Sequence, residues 1–137
     1  MQKFRLTESY YVAPQIEVED IEKIANAGFV KIICNRPDEE IPSYLNSKLM
    51  KTAAAEVGID FDILPLTLTA ITKENILKQF DMVSQAKGPV LAYCTSGMRS
   101  TILWALSRAG IRKAEDIIST ARKAGFDLQF MRENLKC

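Results

Sequence analysis

The stretch Pro89-Val90-Leu91-Ala92-Tyr93-Cys94-Thr95-Ser96-Gly97-Met98-Arg99-Ser100, running on into Thr101 to Ala109, decides how this chain folds. Gly88-Pro89 turns the chain into Val90 to Tyr93, a short apolar run suited to a buried strand. Thr101 to Ala109 reads as a helix. A turn between strand and helix points backbone N–H groups, and the positive end of the helix, at a single place where negative charge is favoured. Cys94 stands at the floor of that turn. The thiolate is the reactive form of cysteine, and the same field favours it. Arg99, entering the helix, can hold a tetrahedral oxyanion by a two-pronged, charge-assisted contact. Gly97 suits a turn that needs positive φ or a close approach of substrate. Thr95, Ser96, Gly97, Met98 and Ser100 are therefore the expected substrate-binding residues around Cys94 and Arg99. Ser100 has two readings: a hydroxyl beside the thiolate or the leaving group, and a helix cap.

Working outward, short apolar runs alternate with helical periods. Tyr10-Tyr11-Val12 is an early strand, and Val18 to Ala27 a helix with Ile21, Ile24 and Ala25 on one face and Gly28 as its stop. Phe29 to Cys34 is rich in β-formers and is the expected central strand. Asn35-Arg36-Pro37-Asp38, extended to Pro42, is a loop. Leu45 to Val57 has helical spacing, Ile59 to Leu66 alternates, and Thr72 is placed to cap a helix running to about Ala86. After the cysteine loop come a helix to Ala109, a second from Lys113 to Ala124 and a third from Asp127 to Leu135. This alternation predicts an α/β fold, a parallel sheet with helices on both faces, in one domain over residues 1–137. Ligands of such sheets bind outside the carboxyl ends of strands. Cys94 and Asn35 both follow strand ends, so Asn35 and Arg36 are candidates to face the same pocket. Arg36 otherwise belongs to an ion pair, and Asn35 to an ordinary turn.

Composition narrows the chemistry. Of 137 residues, 47% are apolar and 26% charged, as in an ordinary globular protein, and the net charge of +1 gives no broad attraction to nucleic acid or acidic membranes. The scattered Arg108, Arg112, Lys113, Arg122 and Lys123 read as a basic helix surface, not a nucleic-acid site. There is no histidine, which excludes Ser-His-Asp and Cys-His machinery and removes the commonest metal ligand, so neither metal nor cofactor is expected. Three cysteines, with no C-x-x-C pair, make a poor disulfide framework and point to a reducing compartment. No signal core or membrane-length apolar run appears, and cytoplasm is the expected location. Cys34 reads as core, with a minor reading as a resolving thiol for Cys94. Cys137 reads as incidental, Trp104 as core, and Glu39-Glu40 as a solvated run.

The arrangement strand–cysteine loop–arginine–helix resembles both the protein tyrosine and dual-specificity phosphatases and the rhodanese-type sulfurtransferases. Nearly the whole chain to about residue 110 is similar to a bacterial phosphatase-like domain that occurs alone and fused to metallo-β-lactamase-fold hydrolases. The residues carrying that resemblance are Gln15 with Glu19-Asp20, Ala27-Gly28-Phe29, Ile33 with Asn35-Arg36-Pro37-Asp38, Gly88-Pro89-Val90-Leu91, and Cys94-x-Ser96-Gly97-x-Arg99-Ser100. The resemblance implies a tyrosine-phosphatase-like fold with a four- or five-stranded, mainly parallel sheet. Two features depart from the phosphatase pattern. Phosphatases of this fold place five residues between cysteine and arginine, whereas here four stand there (Thr95 to Met98), the rhodanese spacing. The usual general-acid loop corresponds to Pro65 to Thr72, which holds no carboxylate. Asp38, following the adjacent strand, is the expected substitute acid, with Asp62 behind it and a solvated turn aspartate as the plain alternative. Tyr93 stands where the phosphatases often have a histidine.

Three functions follow as expectations. The first is a phosphatase in which Cys94 forms a phosphocysteine, the loop amides and Arg99 hold the equatorial oxygens and Asp38 is the acid. The second is sulfur transfer through a persulfide on Cys94, which needs no acid and tolerates the short loop. The third is an oxyanion-binding module without turnover. The partner in each case is a small anion, a phosphate ester or a sulfane-sulfur donor. The oligomeric state stays open.

Overall fold

A computed structural model describes residues 1–136; Cys137 lies outside the described residues. In chain order the elements are β1 (Phe4–Arg5), β2 (Tyr10–Ala13), α1 (Val18–Asn26), β3 (Lys31–Cys34), α2 (Ser47–Glu56), β4 (Asp60–Ile63), α3 (Lys73–Gln85), β5 (Val90–Tyr93), α4 (Met98–Arg108), α5 (Ala114–Lys123) and α6 (Arg132–Leu135). The sheet runs β1-β2-β5-β3-β4; β1 pairs antiparallel with β2 and every other pair is parallel. The fold class is thus the α/β arrangement that the alternation predicted, with the five-stranded, mainly parallel sheet that the family resemblance implied.

Side chains alternate across the sheet as the pleat requires. In β5, Val90 and Ala92 join the core beneath α3, α4, α5 and α6, while Leu91 and Tyr93 join the core beneath α1 and α2. Ile33 and the pair Ile32, Cys34 divide in the same way in β3. All four residues of β5 are buried, because strands on both sides and helices on both faces cover it. A central parallel strand therefore reads as an unbroken apolar run.

Local caps fix the helix starts. Thr72 accepts the Asn75 N–H at 3.2 Å, as its position predicted, and Asn46 accepts the Leu49 N–H at 3.0 Å. One strand was not anticipated, and two expectations need correction. The N-terminal strand β1 carries only two residues and no alternation, so its signal was too short to see. The expected strand Ile59 to Leu66 contracts to Asp60–Ile63, after which the chain leaves the sheet edge. The expected helix from Asp127 to Leu135 is a 3₁₀ turn (Gln129–Met131) followed by one turn of α-helix, pinned by buried Leu128, Met131 and Leu135. No helix among the described residues is long and apolar enough to cross a membrane.

Candidate active site

The parallel register brings three strand ends level. Cys34 and Ala13 both pair with Tyr93, so the chain leaves β2, β3 and β5 at the same edge. Backbone bonds stitch the departing loops together. The Cys94 N–H donates to the Ala13 carbonyl at 3.2 Å, Gln15 N–H to Thr95 O at 3.4 Å, and Leu66 N–H to Asn35 O at 3.0 Å.

Cys94 lies at the bottom of this edge, 1% exposed, and its Sγ accepts the Gly97 N–H at 3.2 Å. Gly97 has φ +96° and opens α4. A side chain there would be strained by the backbone, and its Cβ would lie 3.0 Å from Cζ of Phe126. Ser96 Oγ accepts the Met98 N–H at 3.3 Å. The amides of Thr95, Ser96, Arg99 and Ser100 donate to no acceptor among the described residues. Four free N–H groups at one helix start, around one sulfur, make a cradle for an anion.

Arg99 closes the cradle. Its Nη2 donates to Thr95 Oγ1 at 2.6 Å and its Nη1 to the Leu66 carbonyl at 2.6 Å. The same two nitrogens grip the Glu40 carboxylate, Nη2 to Oε1 at 2.7 Å and Nη1 to Oε2 at 3.0 Å. Arg36 stands behind Glu40. Its Nη2 donates to the Glu40 carbonyl at 2.9 Å and its Nη1 to Gln15 Oε1 at 3.1 Å, while its Nε lies 3.5 Å from Glu40 Oε1, off line for a hydrogen bond. The Arg99 hydrogen bonds, helped by Arg36, hold the Glu40 carboxyl below the usual glutamate range. Glu40 in turn raises Arg99, with the neighbouring Cys94 sulfur adding to the effect against partial burial.

Several expected site residues have other partners. Both Asp38 oxygens are taken at the start of α2, Oδ1 by the Ser47 N–H at 2.8 Å and Oδ2 by the Ser47 hydroxyl at 2.9 Å. The solvated-run reading of Glu39-Glu40 fails for Glu40, which reaches Arg99 where Asp38 does not. Asp62 stays on β4, paired with Lys31 at 2.8 Å. Ser100 reaches neither the sulfur nor a capping position; its hydroxyl donates to Asn35 Oδ1 at 2.9 Å. Asn35 is fully buried, and its amide donates to the Leu64 carbonyl at 3.1 Å and Gln79 Oε1 at 3.0 Å. Gln79 Nε2 donates to Asn35 Oδ1 and to the Tyr10 hydroxyl, which donates to the Ser100 carbonyl at 2.8 Å. Asn35 and Ser100 thus fix the first turn of α4 from behind rather than facing the cradle. Met98 gives the cradle neither a side chain, which packs into the core beneath α4, nor a free amide, which is bonded to Ser96 Oγ.

Sequence reasoning missed Glu40, Gln79 and Tyr10. No local pattern singles them out, since Glu40 is the third acidic residue of an exposed turn and the other two come from distant segments. Cys34 is buried and bonded to the Arg36 carbonyl at 3.4 Å; burial pushes its thiol pKa up. Tyr93, in the position of the phosphatase histidine, has its hydroxyl buried beside Cys34 without a hydrogen bond, and burial pushes that phenol up as well.

Residues 3–111 match the family described as the phosphatase-like domain of beta-lactamase hydrolase-like protein. The beta-lactamase hydrolase-like protein of Agrobacterium fabrum is 32% identical over 130 residues, 93% of this chain; the chain spans only about 30% of that protein's length. A candidate phosphatase from Neisseria meningitidis, known from its crystal structure, is 36% identical with a TM-score of 0.86, covering 96% of this chain and 94% of that one. TpbA of P. aeruginosa, solved as a cysteine-to-serine form in complex with phosphotyrosine, shares the fold at a TM-score of 0.69 and 13% identity, covering 96% of this chain and 79% of that one. The wider structural neighbours belong to the tyrosine and dual-specificity phosphatase superfamily.

Proposed function

Because the chain belongs to the phosphatase-like domain family of the beta-lactamase hydrolase-like proteins, we propose that residues 1–137 form one cysteine-dependent phosphatase domain that hydrolyses a phosphate monoester through a phosphocysteine. One observation carries the reading. The two terminal nitrogens of Arg99 already hold two oxygens of an anion, the Glu40 carboxylate at 2.7 and 3.0 Å, above a cysteine ringed by unbonded amides. Two phosphoryl oxygens match that pair of donors.

In this mechanism the substrate phosphate displaces Glu40 from Arg99 and takes up the amides of Thr95, Ser96, Arg99 and Ser100. The Cys94 thiolate attacks phosphorus in line; the S–P bond forms as the bond to the leaving oxygen breaks. Glu40 loses the guanidinium that held its carboxyl below the usual glutamate range and gains a phosphoryl dianion as neighbour. Both changes favour its taking up a proton from solvent. It then donates the proton to the leaving oxygen, the role first expected of Asp38. In the second half, Glu40 takes a proton from water as the water oxygen attacks phosphorus. The S–P bond breaks and the thiolate returns to the Gly97 N–H. Arg36 holds Glu40 by its backbone carbonyl throughout and adds positive charge at the mouth. A reducing, cytoplasmic setting keeps Cys94 reduced.

The test is release of phosphate from an aryl phosphate, run beside thiosulfate plus cyanide. Phosphate release that Cys94→Ser abolishes is the expected result. Thiocyanate formation without phosphate release overturns the proposal in favour of sulfur transfer. Inertness to both, with tight phosphate binding, leaves an oxyanion-binding module.

A further inference from the structure

A cavity of about 450 Å³ opens between α3 and the carboxyl half of α4, beside the turn before β2. None of residues 94–99 lines it; Phe80, Trp104, Arg108 and Arg112 do, with Gln79 and Tyr10 at its inner wall. Its volume falls within the range of small-molecule sites. Its charge is unbalanced. No acidic side chain lines the cavity, and neither Arg108 nor Arg112 forms an ion pair among the described residues.

The two guanidiniums are spread over aromatic faces, Arg108 at 4.4 Å from the Phe80 ring centre and Arg112 at 5.8 Å from that of Trp104. Stacking satisfies the faces of these cations and leaves edge N–H groups to find acceptors. Arg108 Nε reaches Ser107 Oγ at 3.3 Å, and Arg112 Nη2 reaches Thr120 Oγ1 at 3.2 Å. Arg108 Nη2 is buried and bonded to nothing among the described residues. A buried donor on a cation, left without an acceptor, is costly. Burial, and then the like charge of Arg112, pushes the Arg108 pKa down, the opposite of what a bound anion would do.

We propose that this cavity is a second binding site, distinct from the cysteine cradle, for a small organic anion. The acid group (carboxylate, sulfonate or phosphate) meets Arg108 Nη2 and Arg112, and an apolar or aromatic body lies along Phe80, Val83 and Trp104. The inference does not depend on what chemistry Cys94 performs.

The chain has a single tryptophan, Trp104, so its indole N–H gives one resolved reporter in a ¹⁵N-labelled sample. Titration of the full chain with 1-naphthalenesulfonate, against neutral 1-naphthalenemethanol, shifts that signal. The sulfonate binds at least about tenfold more tightly than the alcohol, the difference expected of a charge-assisted contact. Arg108→Gln and Arg112→Gln each erase most of that preference, Arg108→Lys keeps part of it, and Cys94→Ser leaves it unchanged. A still indole signal at millimolar sulfonate, or equal affinity for sulfonate and alcohol, overturns the proposal without any variant. Binding lost in Arg99→Gln but intact in Arg108→Gln overturns it too, by placing the sulfonate in the cradle.

Discussion

Replacing Glu40 by glutamine removes the charge that sits on Arg99 while keeping the shape of the side chain. The pair is partly shielded, with Arg99 12% and Glu40 33% exposed, and it is bidentate. Such a pair lies near the top of the range for accessible ion pairs, about 1 kcal/mol. A phosphate entering the wild-type cradle must overcome that contact, so Glu40→Gln is expected to bind inorganic phosphate up to about fivefold more tightly. The same change removes the proposed acid. General acids contribute about 10²-fold or more, and chiefly for leaving groups that cannot depart as anions. Glu40→Gln should therefore turn over an alkyl phosphate at least about 10²-fold more slowly, yet hydrolyse a nitrophenyl phosphate nearly as fast as wild type. The assay is steady-state phosphate release from both substrates, with inorganic phosphate as competitive inhibitor. Unchanged inhibition together with unchanged alkyl phosphate turnover refutes the reasoning. Stability supplies an independent check. A carboxyl held below its ordinary value of 4.5 contributes stability above that pH and loses it as pH falls through the lowered folded value. The melting-temperature gap between wild type and Glu40→Gln should be constant near neutrality and close only below about pH 4.5, in scans across buffers.

Asp38→Asn is expected to act on α2 and not on chemistry: it weakens the two bonds to Ser47, costs about 1 kcal/mol in denaturant titration and leaves alkyl phosphate turnover unchanged. Slowed turnover on poor leaving groups alone would return the acid role to Asp38. Gly97→Ala forces a β-carbon at φ +96° to within 3.0 Å of Phe126, so a loss of about 2 kcal/mol and a thermal midpoint lower by several degrees are expected; a wild-type midpoint would contradict the turn geometry. Asn35→Ala strips partners from the Leu64 carbonyl, Gln79 and Ser100 at once, and should cost about 3 kcal/mol in equilibrium unfolding. A loss below about 1 kcal/mol would mean that the buried network does not anchor α4.

The fold was legible because its signals are local. Val90 to Tyr93 is apolar throughout since a central parallel strand is covered on both faces, and Thr72 caps α3 through a bond three residues away. The cradle was legible for the same reason: Cys94, Gly97 and Arg99 act within one turn, and the φ of Gly97 and its N–H bond to the sulfur are short-range. The two-residue β1 gave no such signal, and the segment from Asp127 to Leu135 read as one helix where packing breaks it into a 3₁₀ turn and a single α turn.

What the sequence could not sort was the acidic turn at residues 38–40. Asp38, Glu39 and Glu40 are chemically similar neighbours, and nothing within their own turn distinguishes them. The choice depends on where two other segments lie: Ser47, at the start of α2, claims Asp38, and Arg99, carried in by α4, claims Glu40. Asn35 and Ser100 were likewise displaced from the cradle to its foundation by Gln79, from a helix forty-four residues downstream of Asn35. By itself the chain determined the sheet, the cysteine loop and the arginine above it, since each rests on neighbours in sequence. Tertiary structure alone decided which carboxylate meets that arginine, because hydrogen bonds between distant segments form only once packing has brought them to one edge of the sheet.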